Sequence, residues 1–409
     1  MIAEPSTAAA RTHVVIAVEN EPYPYDRRVR QEAEALVDAG HAVTVVGPTG
    51  FGFDALEERV DGVLALRYRA PPGGRGVMGY AREYGLSLAH LTRLMWKAHR
   101  RRPVDVAIVC NPPDLLVIPA LALRRTGAAV IFDHHDLSPE LFALKFGDRP
   151  WLQRAVRGVE SFALRRADMV IATNDTYAEV GRRRGPVDPR RVHIVRNGPD
   201  PNRIFPVAAR PELRRGRDKL VCWAGLMSDQ EGLHHLLDAA DDLVRRRGRE
   251  DVSFAIVGAG DARDTLMADA DRRGLADYVR FPGRAEDDLL RAYMATADVC
   301  VGVDEPNPMN DASTMTKVIE YMVMGRPIVQ FALHETSRVC GDTSLYARAG
   351  DAADFADRIA ELLDDPARAE RLGAAARERA VPALLWPQQV PALLAAVGAA
   401  LELRAGARR

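Results

Sequence analysis

Short runs of apolar, often β-branched residues alternate with longer amphipathic stretches, and this alternation occurs in both halves of the chain. In the first half the runs predict a helix at 27–40 and strands at 14–18, 41–47, 104–110, 128–132, 169–173 and 193–195. In the second half they predict helices at 232–247, 262–273 and 316–324 and strands at 220–224, 252–257, 279–281, 299–303 and 327–331. Continuous apolar strands separated by amphipathic helices are typical of parallel sheets covered on both faces. The sequence therefore predicts an α/β fold with two Rossmann-like domains facing across a cleft.

The boundary between the two halves is marked by a turn-rich segment at 197–206 and a charged segment at 210–219. A length of 409 residues also exceeds that of one ordinary domain. We expect a disordered tail at 1–11, an N-terminal domain at 12–205 and a C-terminal domain at 206–385. A last helix at 386–409 is expected to pack back on the N-terminal domain.

Charge, hydropathy and cysteine spacing exclude several classes of protein. A formal net charge of −1 gives no reason to expect a nucleic-acid partner. No apolar run is long enough for a transmembrane helix, and residues 1–11 lack the apolar centre of a signal peptide. The four cysteines have no CxxC spacing, so we expect buried thiols in a reducing compartment. These features predict a cytoplasmic protein.

The most informative segment runs from Asn307 to Pro327 and is predicted to form a loop, a helix and the start of a strand. Ser313 or Thr314 is expected to cap the helix. The free N–H groups of such a helix start, at the mouth of a parallel sheet, suit a diphosphate.

Two charged residues of this helix favour a ligand. Lys317 places a cation in the first turn, where the helix dipole disfavours it unless an anion is bound nearby. Glu320 follows three residues later and could accept hydrogen bonds from two ribose hydroxyls. The alternative is an intrahelical pair between Lys317 and Glu320 on a solvated face, worth only ~0.3 kcal/mol.

Three weaker signals have structural explanations. The segment from Asp133 to Asp136 has a metal-like composition, but neighbouring residues of an extended segment point to opposite sides, so no metal is predicted. The glycines at 258 and 260 predict a tight strand–helix turn. The amphipathic stretch at 86–102 predicts a core helix with a cationic end, with peripheral contact to an anionic membrane on its inner face as the alternative.

The motif from Asn307 to Pro327 resembles the donor-binding motif of GT-B retaining glycosyltransferases, family four, in the bacterial group 1 branch. The resemblance extends over nearly the whole chain, because loops of this branch are matched at 23–29, 111–114, 133–140, 172–174, 196–200 and 257–261. It implies an N-terminal acceptor domain and a C-terminal nucleotide-sugar domain.

The resemblance also implies roles for individual residues. The donor ribose is assigned to Glu320, and the donor phosphates to Gly225, Met315, Thr316, Lys317 and Arg196. The donor sugar is assigned to Asn310, Asp311, Ser313 and Thr314, and the base pocket to Gly258, Gly283 and Arg284. His135, in preference to His134, and Asp136 are the expected catalytic residues, and the acceptor side is assigned to Asp26, Arg27, Arg28, Asn111 and Asp114.

The implied reaction transfers a sugar from a nucleotide-diphosphate donor, preferably a UDP-sugar, to a hydroxyl acceptor with retention. The acceptor could be a saccharide, a lipid-linked saccharide or a natural product. Neither a metal nor a further cofactor is expected, because the helix start and basic side chains would neutralise the departing diphosphate.

Three positions depart from the family pattern. Ala312 replaces a usual glutamate, and Leu226 and Glu231 replace a usual arginine and lysine near the phosphates. Close to a diphosphate Glu231 would be repulsive, so either it points away or the phosphate is held differently. Lys317 is the preferred replacement cation, followed by the arginines at 27, 28 and 196. These departures leave two alternatives open: a non-catalytic protein that binds sugar nucleotides or assists a partner, and a UDP-sugar 2-epimerase.

Overall fold

The structure, a computed structural model, describes residues 12–71, 73, 76–147 and 149–408. The predicted disordered tail at 1–11 lies outside the described residues. By its contacts the chain divides into two compact units. The first unit ends at Arg196 and resumes at Gln389, and the second comprises Asn197–Gln388. The first break between the units, after Arg196, lies before the predicted boundary at 205/206.

The first unit is built on an eight-stranded sheet. Its strands are β1 (His13–Ala17), β2 (Ala42–Pro48), β3 (Glu57–Val60), β4 (Val63–Tyr68), β5 (Val106–Cys110), β6 (Ala129–His134), β7 (Met169–Ala172) and β8 (Val192–Ile194). They lie in the order β3-β4-β2-β1-β5-β6-β7-β8, and all neighbours pair in parallel except β3 with β4. The order reverses direction at β1, which makes this a doubly wound sheet.

Between these strands the described part of the chain forms helices. They are α1 (Arg27–Asp38), α2 (Gly76–Arg101), α3 (Val117–Arg124), α4 (Ser138–Phe146), α5 (Pro150–Arg166) and α6 (Asp175–Arg184). Residues of the central strands β1, β5 and β6 are buried along their whole length. That burial on both faces explains why these strands appear in the sequence as continuous apolar runs.

The antiparallel hairpin of β3 and β4 was not predicted. Glu57–Val60 alternates between exposed and half-buried residues and contains three charged side chains, so it lacks the apolar run that identifies the other strands. It lies at the edge of the sheet, where charged residues are common because they discourage pairing with other chains.

The second unit contains a six-stranded, all-parallel sheet. Its strands are β9 (Lys219–Leu226), β10 (Val252–Ala259), β11 (Val279–Gly283), β12 (Val299–Gly302), β13 (Ile328–Phe331) and β14 (Leu345–Ala347), in the order β11-β10-β9-β12-β13-β14. Its helices are α7 (Leu233–Asp241), α8 (Arg263–Arg272), α9 (Asp287–Thr296), α10 (Pro308–Ala312), α11 (Thr316–Val323), α12 (His334–Cys340), α13 (Ala352–Asp364) and α14 (Pro366–Ala380). The predicted helix at 232–247 is α7 followed by a π-helical turn at Asp242–Arg246.

The last helix, α15 (Trp386–Arg408), occupies the segment in which the last helix was predicted. Within the first unit, Arg404 of this helix donates to the carboxylate of Asp168 at 2.8 Å. Asp168 is buried and also accepts from the backbone N–H of Val130 at 2.8 Å. The pair therefore ties α15 to the start of β7.

The amphipathic helix α2 contributes its apolar face to the core. Leu91 and Met95 are fully buried, and Leu94 packs against the same cluster. Leu91 and Met95 are therefore core residues and are not available for contact with a membrane. No helix in the described part of the chain is long and apolar enough to cross a membrane. All four cysteines are buried and unpaired, as predicted.

Replacement of Leu91 tests the core position of α2. We expect Leu91→Ala to lower the free energy of unfolding by about 2–5 kcal/mol, because it leaves a cavity in a close-packed core. Leu86→Ala on the same helix removes a side chain that is 41% exposed and should cost less than about 1 kcal/mol. Urea denaturation of both variants measures the difference. Equal losses would show that Leu91 is not a core residue.

Candidate functional site

Three glycines shape the carboxyl edge of the second sheet. Gly225 at the end of β9 pairs in register with Gly258 at the end of β10. Gly258 has φ +147°, and a Cβ at this position would lie 1.9 Å from the carbonyl oxygen of Gly225. A Cβ on Gly260 would lie 2.0 Å from the carbonyl oxygen of Met227. The two backbone segments therefore touch, and only glycine fits between them.

The base-pocket residue Gly283 differs from these glycines. It ends β11 with φ +81°, and a Cβ there would meet open space. The neighbouring Arg284 is exposed. In the predicted base pocket, close backbone contact therefore excludes any side chain at Gly258. At Gly283 only the dihedral angle disfavours a side chain.

The motif of residues 307–327 forms two helices instead of one. Asn307 caps the short α10, because its side chain accepts from the N–H groups of Met309 and Asn310 at 3.0 and 2.9 Å. The amide of Asn310 donates to the carbonyl oxygens of Glu305 at 2.9 Å and of Gln230 at 3.2 Å. Asn310 therefore links the loops that follow β9 and β12.

The prediction that Ser313 or Thr314 caps the next helix is wrong. The N-cap of α11 is Met315, and its side chain makes no capping hydrogen bond within the described residues. The Ser313 hydroxyl instead donates to Met309 at 2.7 Å, and the Thr314 hydroxyl donates to Glu335 at 3.3 Å. Both hydroxyls are directed to the neighbouring helices, and the predicted phosphate residues Met315 and Thr316 form the helix start.

Lys317 is buried and paired with two carboxylates. Its ammonium donates to Asp304 at 2.5 Å and to Glu231, and it lies 5.1 Å from the centroid of the Trp223 ring. Burial alone would lower the pKa of Lys317, but the two carboxylates raise it. Burial raises the pKa of Glu231, against the opposing effect of Lys317. The positive charge of Lys317 in the first turn is thus balanced by carboxylates of the protein itself.

Glu320 is 6% exposed and lies one turn further along α11. Its carboxylate accepts from the guanidinium of Arg203 at 2.8 Å. Arg203 also donates to Asp287 at 2.8 Å. The pair between Lys317 and Glu320 on a solvated face, which the sequence left open, is not formed, because each residue is buried and binds a different partner.

In the first unit, Arg28 is a structural residue. Its guanidinium donates to both carboxylate oxygens of Asp133 at 2.8 and 2.7 Å and to the carbonyl oxygen of Val195 at 3.0 Å. It also pairs with Glu32 at 3.1 Å. Arg28 therefore fixes α1 to the carboxyl ends of β6 and β8.

The two neighbouring histidines at the end of β6 point to opposite sides, as alternation along a strand requires. His134 is fully buried and lies 3.1 Å from Glu160. The Nδ1 atom of His135 lies 3.1 Å from Asp133, and 14% of its side chain remains exposed. Burial alone would lower the pKa of His135, but Asp133 raises it to about 9. His135 is therefore an imidazolium at neutral pH.

Asn111 connects the other predicted residues of this edge. Its amide donates to Asp114 at 2.8 Å and to the carbonyl oxygen of Asp136 at 2.7 Å, and its oxygen accepts from the N–H of His135 at 2.9 Å. Burial raises the pKa of Asp114 to about 6 and also raises that of Asp136. These four residues form one hydrogen-bonded group around the loop after β6.

The other predicted residues have different hydrogen-bond partners or are exposed. Asp26 caps α1 by accepting from Val29 at 3.0 Å, and Arg27 is exposed. Arg196 donates to Asp175 at 2.5 Å at the end of the first unit. In the second unit Asp311 accepts from the N–H of His334 at 2.8 Å.

Two groups of side chains in the described part of the chain could hold a metal ion. One is Cys110 with Asp133 and His135, and the other is His234 with His235 and Glu305. In the first group both oxygens of Asp133 already bind Arg28. In the second, the Nε2 atoms of His235 and His234 lie 3.2 and 3.8 Å from Glu305. The metal-like segment noted in the sequence contains Asp133 and His135 but not Cys110, and sequence spacing did not reveal the second group. The absence of a metal requirement stays a prediction.

Sequence reasoning missed the residues that hold the predicted ones in place. Arg203 lies in the turn-rich segment that was assigned only as a linker, and it contacts a carboxylate 117 residues away. Asp304 follows β12 and binds Lys317. Asp304 could have been predicted, because it follows the end of a predicted strand. The sequence contains no comparable signal for Arg203.

Comparison with known proteins places these features in a family. Residues 217–365 match the family model described as "Glycosyl transferases group 1", and residues 25–198 match the "Glycosyl transferase 4-like domain". The chain is 30% identical to the alpha-maltose-1-phosphate synthase of Mycobacterium tuberculosis over 65% of this chain and 73% of that protein. It is 26% identical to the glycogen synthase of the same organism over 88% and 87%.

Its structure is similar to that of HepE from Anabaena, solved in complex with UDP-glucose. The TM-score is 0.72 with 17% sequence identity, and the alignment covers 95% of this chain and 100% of HepE. This similarity confirms the predicted GT-B fold.

The contact between Gly258 and Gly225 generates a stability prediction. Gly258→Ala should lower the free energy of unfolding by about 3 kcal/mol or more, because the new methyl group overlaps a backbone carbonyl. Gly283→Ala is the matched control, since its cost of about 1 kcal/mol comes from the left-handed dihedral angle alone. Denaturant unfolding measures both. Equal costs would mean that the loops separate easily and that the contact is not restrictive.

The pairing of His135 with Asp133 generates a pH prediction. NMR titration should give His135 a pKa near 9, and Asp133→Asn should lower it below its ordinary value of 6.5, because burial and Arg28 would remain. The stability that this pair contributes is complete below about pH 6.5 and is lost as pH rises through about 9. Asp188→Asn, on another loop, is the control. An unchanged pKa in Asp133→Asn would refute this assignment.

Proposed function

The chain belongs to the group 1 glycosyltransferases, and from this premise we propose that it moves a sugar from a nucleoside-diphosphate donor, preferably a UDP-sugar, to a hydroxyl acceptor with retention of configuration. The second unit binds the donor and the first binds the acceptor. The transfer forms a bond between the acceptor oxygen and the anomeric carbon and breaks the bond from that carbon to the diphosphate. The acceptor proton passes to an oxygen of the leaving phosphate, so no enzymic nucleophile is used.

The observation that carries the proposal is the buried carboxylate of Glu320 on α11, in the same unit as the glycine contact of β9 and β10. Arg203 holds this carboxylate at 2.8 Å, which fixes its direction before any ligand is bound. A carboxylate fixed in this way can accept two hydroxyl hydrogens of a ribose. The similarity to HepE, whose structures contain UDP or UDP-glucose, supports a uridine donor.

The phosphate-binding part of the proposal relies on the start of α11. The N–H groups at Met315 and Thr316 begin this helix, and such groups bind phosphate oxygens. Lys317 contributes less net charge than the sequence suggests, because Asp304 and Glu231 both pair with it. Backbone N–H groups therefore provide the larger share of phosphate binding, without a metal ion.

His135 and Asp136 are proposed to lie beside the transferred sugar. The imidazolium of His135 donates a hydrogen bond, and its charge stabilises the negative charge that develops on the leaving diphosphate. Asn111 positions both residues by accepting from their backbone N–H groups at 2.9 and 3.1 Å. The acceptor is a saccharide, a lipid-linked saccharide or a natural product.

Calorimetric titration with UDP, GDP, ADP and TDP tests the donor site. Wild type should bind one of them equally well with Mg²⁺ and with a chelator. Glu320→Gln should weaken that binding by about 2 kcal/mol, roughly 30-fold, because a charged hydrogen-bond acceptor is lost. Glu378→Gln, an exposed carboxylate on α14 of the same unit, should leave the affinity unchanged.

The other outcomes separate the alternatives. Binding that requires Mg²⁺ would contradict the metal-free phosphate site. No binding of any nucleotide would contradict the donor proposal and favour a non-catalytic protein that assists a partner. Conversion of a UDP-sugar without an acceptor, seen by NMR of the sugar, would instead identify an epimerase. The same spectra report retention through the anomeric configuration of the product.

A further inference from the structure

The first unit contains a cavity of about 300 Å³ at the carboxyl edge of its sheet. Glu19 follows β1, Thr49 follows β2 and Tyr68 ends β4, and all three line the cavity. Tyr80 and Tyr84 of α2 form a further wall. The acceptor residues predicted from the sequence (Asp26, Arg27, Arg28, Asn111 and Asp114) are not among its lining residues. In doubly wound sheets this edge is where ligands bind.

A buried carboxylate in the cavity wall indicates a polar ligand. Glu19 is 8% exposed and accepts one hydrogen bond, from the Ser87 hydroxyl at 2.8 Å. The Tyr68 hydroxyl, next to Ser87, has almost no exposed surface and is not available to a ligand. A ligand that brings further hydrogen bonds or a positive charge to Glu19 would offset the cost of burying its carboxylate.

The charges around the cavity favour a cation. Glu19 and Glu83 both line it, and Lys145 is its single lining cation among the described residues. The ammonium of Lys145 lies 4.9 Å from the centroid of the Tyr80 ring. Burial raises the pKa of Glu19, and Glu83 raises it further, against Ser87 and Lys145. A ligand ammonium beside Glu19 would therefore stabilise the ionised carboxylate.

Aromatic rings provide the apolar surfaces of the cavity. Phe51 is 63% exposed and stacks on Tyr25, with ring centroids 4.1 Å apart and planes within 7°. Tyr80 and Tyr84 pack edge to face at 6.0 Å on the other wall. Flat rings suit the C–H faces of a sugar ring, and their faces attract cations. The volume is at the lower end for small-molecule sites, which fits a single ring.

We propose that this cavity is the acceptor site and that it selects a small polyhydroxylated ring carrying a protonated amine. Glu19 pairs with the ammonium, and the rings of Phe51, Tyr80 and Tyr84 contact the C–H groups of the ligand ring. The ammonium has no lone pair, so it serves recognition, while a neighbouring hydroxyl receives the sugar. The statement that the ligand is the acceptor rests on the proposed function. The cavity's preference for an amine can be tested without a donor.

The test uses glucosamine and glucose as probes, which differ in one amine, with NMR titration of the full-length protein at a pH where the amine is charged. Wild type should bind glucosamine about 10-fold more tightly than glucose, as a charge-assisted hydrogen bond predicts. Glu19→Gln should abolish this preference and leave binding of UDP unchanged. Glu179→Gln, an exposed carboxylate of the first unit, is the control and should keep the preference.

A second variant guards against misfolding of the buried position. Phe51→Ala removes an exposed ring and should weaken the binding of both sugars by a similar factor. Equal binding of the two sugars by wild type, or an undiminished preference in Glu19→Gln, would overturn the proposal even if UDP binds. An amine preference that depends on Glu19 in a protein that fails to bind any nucleotide would support the cavity and contradict the donor proposal alone.

Discussion

Parallel pairing constrains this protein more than any single contact does. When neighbouring strands run in the same direction, their carboxyl ends meet at one edge, and the loops that follow them have to meet there too. In the first unit this edge gathers Glu19, Tyr68 and the loop after Asp133. In the second unit it gathers the glycines at 225 and 258 and the loop after β12. Residues far apart in sequence become neighbours because the topology brings the ends of their strands to the same edge of the sheet.

Buried charges at these edges are compensated by the protein itself. Arg28 is bound by Asp133, 105 residues away, and Lys317 by Glu231, 86 residues away. An ion withdrawn from water without a partner would be very costly, so a buried cation requires such carboxylates. Arg28 and Lys317, two of the cations that the sequence suggested for a diphosphate, therefore already have carboxylate partners within the protein.

The two sheets were predictable from the sequence because buried parallel strands are continuous apolar runs; β5, β6 and β7 lie within two residues of their predicted bounds. The charged edge strand β3 and the short β14 lack that signal. The opposite directions of His134 and His135 followed from strand alternation, whereas the partners of Arg28, Lys317 and Glu320 depend on long-range contacts that periodicity does not encode. The prediction of the α11 cap was wrong because the hydroxyls of Ser313 and Thr314 donate hydrogen bonds to adjacent helices.

The touching backbones at Gly225 and Gly258 have a consequence for engineering this protein in the laboratory. Most variants at these two positions would disturb the contact, since a methyl group on Gly258 overlaps a carbonyl oxygen and one on Gly225 meets the Trp223 ring at 2.9 Å. Arg284 tolerates larger changes because it is exposed, whereas Gly283 has open space around it but a left-handed dihedral angle that costs another residue about 1 kcal/mol. Directed evolution at this edge of the sheet would therefore progress fastest when Gly225 and Gly258 are held constant and diversity is introduced at Arg284.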